Sequence, residues 1–175
     1  VSGQISASNS LVGSAAGDGV GSGNFFGEGG VIALTNGNYV VTSDDWNNQG
    51  AVTWGDGTSG ITGPVSISNS LVGNPGEVIA LANGNYAVSS PTWAYETPGP
   101  FNVGAVTWGN GTTGTTGAIS VSNSLVGTNT YDSVGDGGLV ALTNGNYVVI
   151  STGSWSGMPS VTWVNGSHVT TGVVS

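Results

Sequence analysis

Nine acids, one histidine and six tryptophans are the side chains of this 175-residue chain with the most chemistry to offer. A serine or threonine nucleophile needs a base beside it. The single histidine, His168, sits in "NGSHVTTG" beside a turn, where it reads as an ordinary turn or strand residue and not as a catalytic base. Paired carboxylates could run glycoside hydrolysis. The pairs at hand are Asp44 with Asp45, Asp132 with Asp136, and Asp18 with Glu28. All lie in polar or glycine-rich connections, none has a basic partner, and none recurs in a second copy at the same place. Solvated loop acids explain them, and no enzyme is expected. Asp18, Asp132 and Asp136 also sit in glycine-rich turns that resemble partial calcium loops. A calcium site needs more oxygen ligands than these segments show, so no cofactor is expected.

The tryptophans fall into two groups. Trp46, Trp93 and Trp155 lie in polar connections of variable length, where a ring can stack on a sugar, cover a neighbouring unit or cap a core. Trp54, Trp108 and Trp163 recur in "VTW" at strict spacing, which suits packing. Two N-x-S/T sequons, at Asn110 and Asn165, are candidate glycosylation sites. The matching place in the first copy reads Asp56-Gly-Thr, so a glycine turn in which Asn and Asp interchange also explains them.

These residues hang on a repeated framework. "ALTNGNYVV" (33–41) returns as "ALANGNYAV" (80–88) and "ALTNGNYVV" (141–149). Alternating apolar runs around Asn-Gly predict a β-hairpin with a tight primed turn. Asn36-Gly37, Asn83-Gly84 and Asn144-Gly145 are its turn residues. "SNSLVG" begins at Ser8, Ser68 and Ser122, and "VTW" begins at Val52, Val106 and Val161, 54 and 55 residues apart. The chain therefore reads as one array of three units, approximately 1–63, 64–117 and 118–175, each with four short strands. Variation is confined to the connections.

Composition narrows the function. With no Lys or Arg and a formal charge of −9, the chain lacks the cations that bind nucleic acid, anionic membranes or phosphate substrates. Trypsin-like proteases find no cleavage site. No apolar run approaches the length of a membrane span, so no membrane insertion is expected. The opening "VSGQIS" starts mid-pattern, as expected of a piece processed from something longer.

Read as "GAVTWGNGTTG", "SNSLVG", "GDGVGSG" and "VIALTNGNYVVTS", the unit resembles the FG-GAP repeat of β-propellers. It is also similar to a repeat of unknown function in large bacterial surface and haemagglutinin-like proteins. The first resemblance implies a calcium loop in the hairpin. Asn36 and Asn38, Asn83 and Asn85, and Asn144 and Asn146 stand at its ligand positions without a carboxylate, so turn formation is their expected work.

The expected fold is all-β, with three four-stranded antiparallel units like propeller blades; a threefold β-prism or β-trefoil is the alternative. The expected function is an extracellular, bacterial cell-surface or filament-forming module that assembles with itself head to tail. The alternative is a glycan-binding adhesion module using Trp46, Trp93 and Trp155. The strand at residues 1–13 has the phase that the last unit lacks, within one molecule or between two.

Overall fold

A computed structural model describes residues 3–23, 30–95, 99–153 and 158–174. Within them the chain is all-β, with a single 3-10 turn at Trp46–Asn48 and no helix long and apolar enough to cross a membrane. The first unit supplies β1 (Leu11–Val12), β2 (Val31–Ala33), β3 (Tyr39–Ser43) and β4 (Ala51–Gly55). A short strand, β5 (Gly63–Pro64), leads into β6 (Ser70–Val72), β7 (Val78–Ala80), β8 (Tyr86–Ser90) and β9 (Ala105–Gly109). Another, β10 (Gly117–Ala118), leads into β11 (Ser124–Val126), β12 (Leu139–Ala141), β13 (Tyr147–Ser151) and β14 (Ser160–Val164). The last is β15 (Gly172–Val173).

The four strands expected of each unit are present, but they are assembled across units. β2, β3 and β4 form a meander, and β6 from the next unit takes the fourth place. β10 then adds a fifth strand, parallel to β6. The second sheet repeats this order as β7, β8, β9, β11 and β15. Two partial sheets remain: β12, β13 and β14 at the C-terminal end, and β1 with β5 at the N-terminal end. β1 does not complete the last unit within the molecule. The array stays open among the described residues, so the closed prism and trefoil alternatives do not describe it.

The hairpin turn differs from the primed two-residue form. Leu34 N donates to Asn38 O at 2.8 Å and Gly37 N donates to Leu34 O at 3.0 Å, closing a three-residue loop. Only the glycines take positive φ, at 91° for Gly37, 90° for Gly84 and 85° for Gly145. This is the loop in which a left-handed glycine forms a bulge that matches the twist of the flanking strands. It leaves the first Asn free to brace the turn: Asn36 Oδ1 accepts from Asn38 N at 3.1 Å.

Side-chain alternation along the strands explains how the sheets stack. On β8 and β9, Tyr86, Val88 and Ala105 face the first sheet and pack with Val40, Val52 and Leu71. Their neighbours Ala87, Val106 and Trp108 face the third sheet and pack with Leu139, Tyr147 and Val149. The middle sheet is thus buried on both faces. The first sheet, the middle sheet and the β12–β14 sheet lie face to face in chain order with a core in each seam, and a third cluster of Ala51, Val65 and Val72, with Leu11 packed on it, lies beside the β1–β5 pair.

Candidate interaction surface

A polar cluster repeats beside each core. Gly111 O accepts three side-chain N–H groups from the preceding unit: Asn36 Nδ2 at 2.8 Å, Asn38 Nδ2 at 2.8 Å and Trp54 Nε1 at 2.9 Å. At the next seam Gly166 O accepts Asn83 Nδ2 at 2.8 Å, Asn85 Nδ2 at 3.0 Å and Trp108 Nε1 at 2.8 Å. The second Asn of each hairpin also faces backward. Its Oδ1 accepts from the glycine of its own unit, as Gly57 N to Asn38, Gly111 N to Asn85 and Gly166 N to Asn146. The same pair of links, a backward one to the glycine N–H and a forward one to the next unit's glycine carbonyl, recurs along the array.

Glycine is obligatory at the acceptor. A Cβ on Gly57, Gly111 or Gly166 would lie 1.8, 1.7 or 1.9 Å from the hairpin carbonyl of Gly37, Gly84 or Gly145.

The strands carry a second repeated cluster. Asn69 Oδ1 accepts from Ser66 N and Ser70 Oγ, and Ser70 Oγ meets Thr53 Oγ1 at 2.7 Å across β4 and β6. Asn123, Ser124 and Thr107 repeat it. Asn9 and Ser10 make the same local bonds, while the counterpart of Thr53 and Thr107 is Thr162, at the far end of the array.

Both ends present surfaces that are buried elsewhere. Val161 is 73% exposed although its counterparts Val52 and Val106 are at 0%, and Trp163 is 58% exposed although Trp108 is at 9%. At the other end Val31 is 60% exposed, whereas Val78 and Leu139 are at 3% and 7%. Asn144, Asn146 and Trp163 form the third copy of the donor set, with no unit in front of them within the described residues.

The residues singled out from the sequence have other surroundings. Trp46 is half-buried against Ala51, Val65 and Val72, and Trp93 is half-buried against the core that holds Ala105, Ile119 and Val126. Both cores include a residue from the first strand of the following unit, Val72 and Val126. Trp93 also meets Tyr95 at a ring separation of 5.2 Å, and Tyr95 Oη donates to Gly127 O. Trp155 and Glu28 lie outside the described residues.

Asp18 Oδ2 accepts from Ser14 N, Ser14 Oγ and Ala15 N, and Asp132 Oδ2 accepts from Thr128 N and Asn129 N. These carboxylates close equivalent loops. The Ala15 N–H and then the Ser14 hydroxyl hold Asp18 below the ordinary carboxylate value. Asp136 bonds the Thr152 N–H and hydroxyl, each at 2.6 Å. Burial, then the charge of Asp45, raises Asp44.

Among the described residues no three His, Cys, Asp or Glu side chains gather to hold a metal. His168 Nδ1 meets Ser167 Oγ at 3.1 Å on an exposed turn. Asn110 and Asn165 brace their turns through Oδ1, accepting from Thr112 N and Ser167 N, as Asp56 does from Thr58 N.

Sequence reading missed the donor role of Asn38 and Asn85 and the acceptor role of Gly111 and Gly166. The available signal was the co-recurrence of N-G-N, the strand-end Trp and [DN]-G-[TS] in every unit. No curated protein and no solved structure matches the chain, and no FG-GAP or propeller family is identified. Residues 1–22, 33–77, 80–136 and 141–175 match one family of repeats, and on that coverage the chain belongs to the family described as Repeat of unknown function (DUF5650).

Proposed function

We propose that the chain is a structural module of an extracellular surface or filament-forming protein, and that it assembles with itself head to tail by strand complementation. One observation carries this reading. The three strands left at one end and the two at the other are, in order, the parts of one complete five-stranded sheet. Placing β1 of a second molecule beside β14 repeats the β4–β6 and β9–β11 pairings, with Val161 opposite Leu11 as Val52 is opposite Leu71. Returning Val161 to a buried setting favours this by roughly 1.5–3 kcal/mol. An unpaired strand edge without Lys or Pro is also an open template for pairing. The open, face-to-face stacking suits a filament of blade-like sheets, in keeping with the FG-GAP resemblance at the level of the single blade. The half-buried settings of Trp46 and Trp93 suit packing between units better than stacking on glycans.

Light scattering across a concentration series tests the reading, with electron microscopy of the concentrated material. Mass should rise with concentration and linear particles should appear, while Val161→Asp should hold the chain monomeric. A compact wild-type monomer at every concentration would overturn it.

A further inference from the structure

We infer that Asn144, Asn146 and Trp163 form a socket that reads one backbone carbonyl, and that its occupant is the Asp56-Gly57-Thr58 turn of a second copy of this chain. This rests on the head-to-tail reading and adds the group that sets its register and polarity. The socket's two counterparts are filled: three N–H donors converge on Gly111 O and three on Gly166 O, all within 2.8 to 3.0 Å. In each case the strand that receives the next unit and the donors that capture its glycine belong to the same unit. A molecule that lays β1 against β14 therefore brings its own Gly57 to Asn144, Asn146 and Trp163.

Three features make the fit selective. Asn146 Oδ1 is already engaged by Gly166 N at 3.2 Å, which aims its Nδ2 outward. Asn144 Oδ1 braces Asn146 N at 3.1 Å, which leaves Nδ2 as that side chain's free group. The incoming residue must be glycine, because the counterpart acceptors approach a hairpin carbonyl too closely for any Cβ. The occupant's own hairpin must also be glycine there. A Cβ on Gly84 or Gly145 would come within 3.0 or 2.8 Å of the preceding unit's Asn Cβ, whereas around Gly37 that space is empty. The surface is thus cut to receive an Asn at Gly37 and to offer a carbonyl at Gly57. A slipped register would bury three donors without an acceptor, which is costly.

The test uses the full chain and a tandem in which Ser175 is joined to Ala7 of a second copy. That junction reads "TGVVSASNSLVG", the phase of "TGAISVSNSLVG" (116–127). Hydrogen exchange of the Trp163 indole N–H is followed in both by NMR, with the Trp54 and Trp108 indoles as internal standards. In dilute single chain Trp163 should exchange fast; in the tandem its first-copy indole should be as slow as Trp54 and Trp108. Asn144→Asp keeps the bond to Asn146 N but removes the donor, and Trp163→Phe keeps a ring but removes the N–H. Either should weaken self-association of the single chain by about fivefold to tenfold and leave its melting temperature unchanged. If β14 amides are protected in the tandem while the Trp163 indole exchanges fast, the socket is wrong and the strand pairing stands. If neither is protected, both fall.

Discussion

Asp56 stands where the other two units place Asn110 and Asn165, and the difference has a consequence for pH. The Thr58 hydroxyl, followed by the N–H groups of Ser59 and Thr58, holds its carboxyl down at about 2. The folded-state value lies below the unfolded one, so the stability it contributes is complete above about pH 4 and is lost as pH falls toward 2. Asp56→Asn should therefore flatten part of the acid limb between those values, read as melting temperature against pH beside the wild type. An unaltered limb would mean that the turn does not hold the carboxylate. Asp18 Oδ2, Asp132 Oδ2 and both oxygens of Asp136 already accept from donors of their own loops or of Thr152. Chelation should accordingly leave the melting temperature unchanged, and a fall with EDTA that calcium reverses would contradict these assignments. At this scale the sequence was legible only where a residue acts on its own turn. Asn36 reads as a turn former because its partner is two residues away. The donor role of Asn38 does not, because its acceptor, Gly111, lies in the next unit and is a backbone atom with no side-chain signature.

Strands and turns were more legible, because their signals are local. Period-two alternation and the Asn-Gly word place every hairpin, and each glycine takes the positive φ they demand. The loop length was misread, since the same Asn-Gly also fits a three-residue loop whose glycine alone is left-handed. The exchange of β6 and β11 into the preceding sheet was not legible either. "SNSLVG" reads as a strand, but nothing in its pattern says which unit's VTW strand it joins. The three hairpins offer an internal comparison. Gly37→Ala meets only the backbone strain of positive φ, about 1–2 kcal/mol, whereas Gly84→Ala also meets the Cβ of Asn36 at 3.0 Å. That contact should add roughly 1 kcal/mol or more. Urea unfolding of both variants decides it: equal losses would mean that the seam between units 1 and 2 opens without resistance. The tilted Trp93–Tyr95 pair and the Gly127 bond tie the second connection to the third unit in the same way. Loops of different length can therefore serve equivalent seams.

For the whole molecule, the missing cations and the open ends act against each other. Nine acids and no Lys or Arg leave only repulsion between copies at neutral pH, and salt screens it over a Debye length of about 8 Å at physiological strength. Added salt should therefore raise both the melting temperature and the self-association measured by light scattering. Loss of association with salt would reveal an attractive network that the composition does not supply. The N-terminal segment adds a second opposition. Residues 1–6, "VSGQIS", have the repeat phase of residues 170–175, "TTGVVS". Gln4 O accepts from Asn9 Nδ2 just as Pro64 O and Ala118 O accept from Asn69 and Asn123, so residues 4–9 already have the local form of a strand entry. In a head-to-tail contact it competes for the place beside β11 that β15 of the receiving molecule already fills. Ile5, 80% exposed where Val65 is at 1%, would have no seam to enter. Removing residues 1–6 should therefore lower the concentration at which association begins, whereas removing 1–12 takes away β1 and should abolish it. Sedimentation of the two truncated chains beside the full one makes the measurement. If both truncations weaken association equally, the first six residues are part of the contact and the shared phase with 170–175 does not govern it.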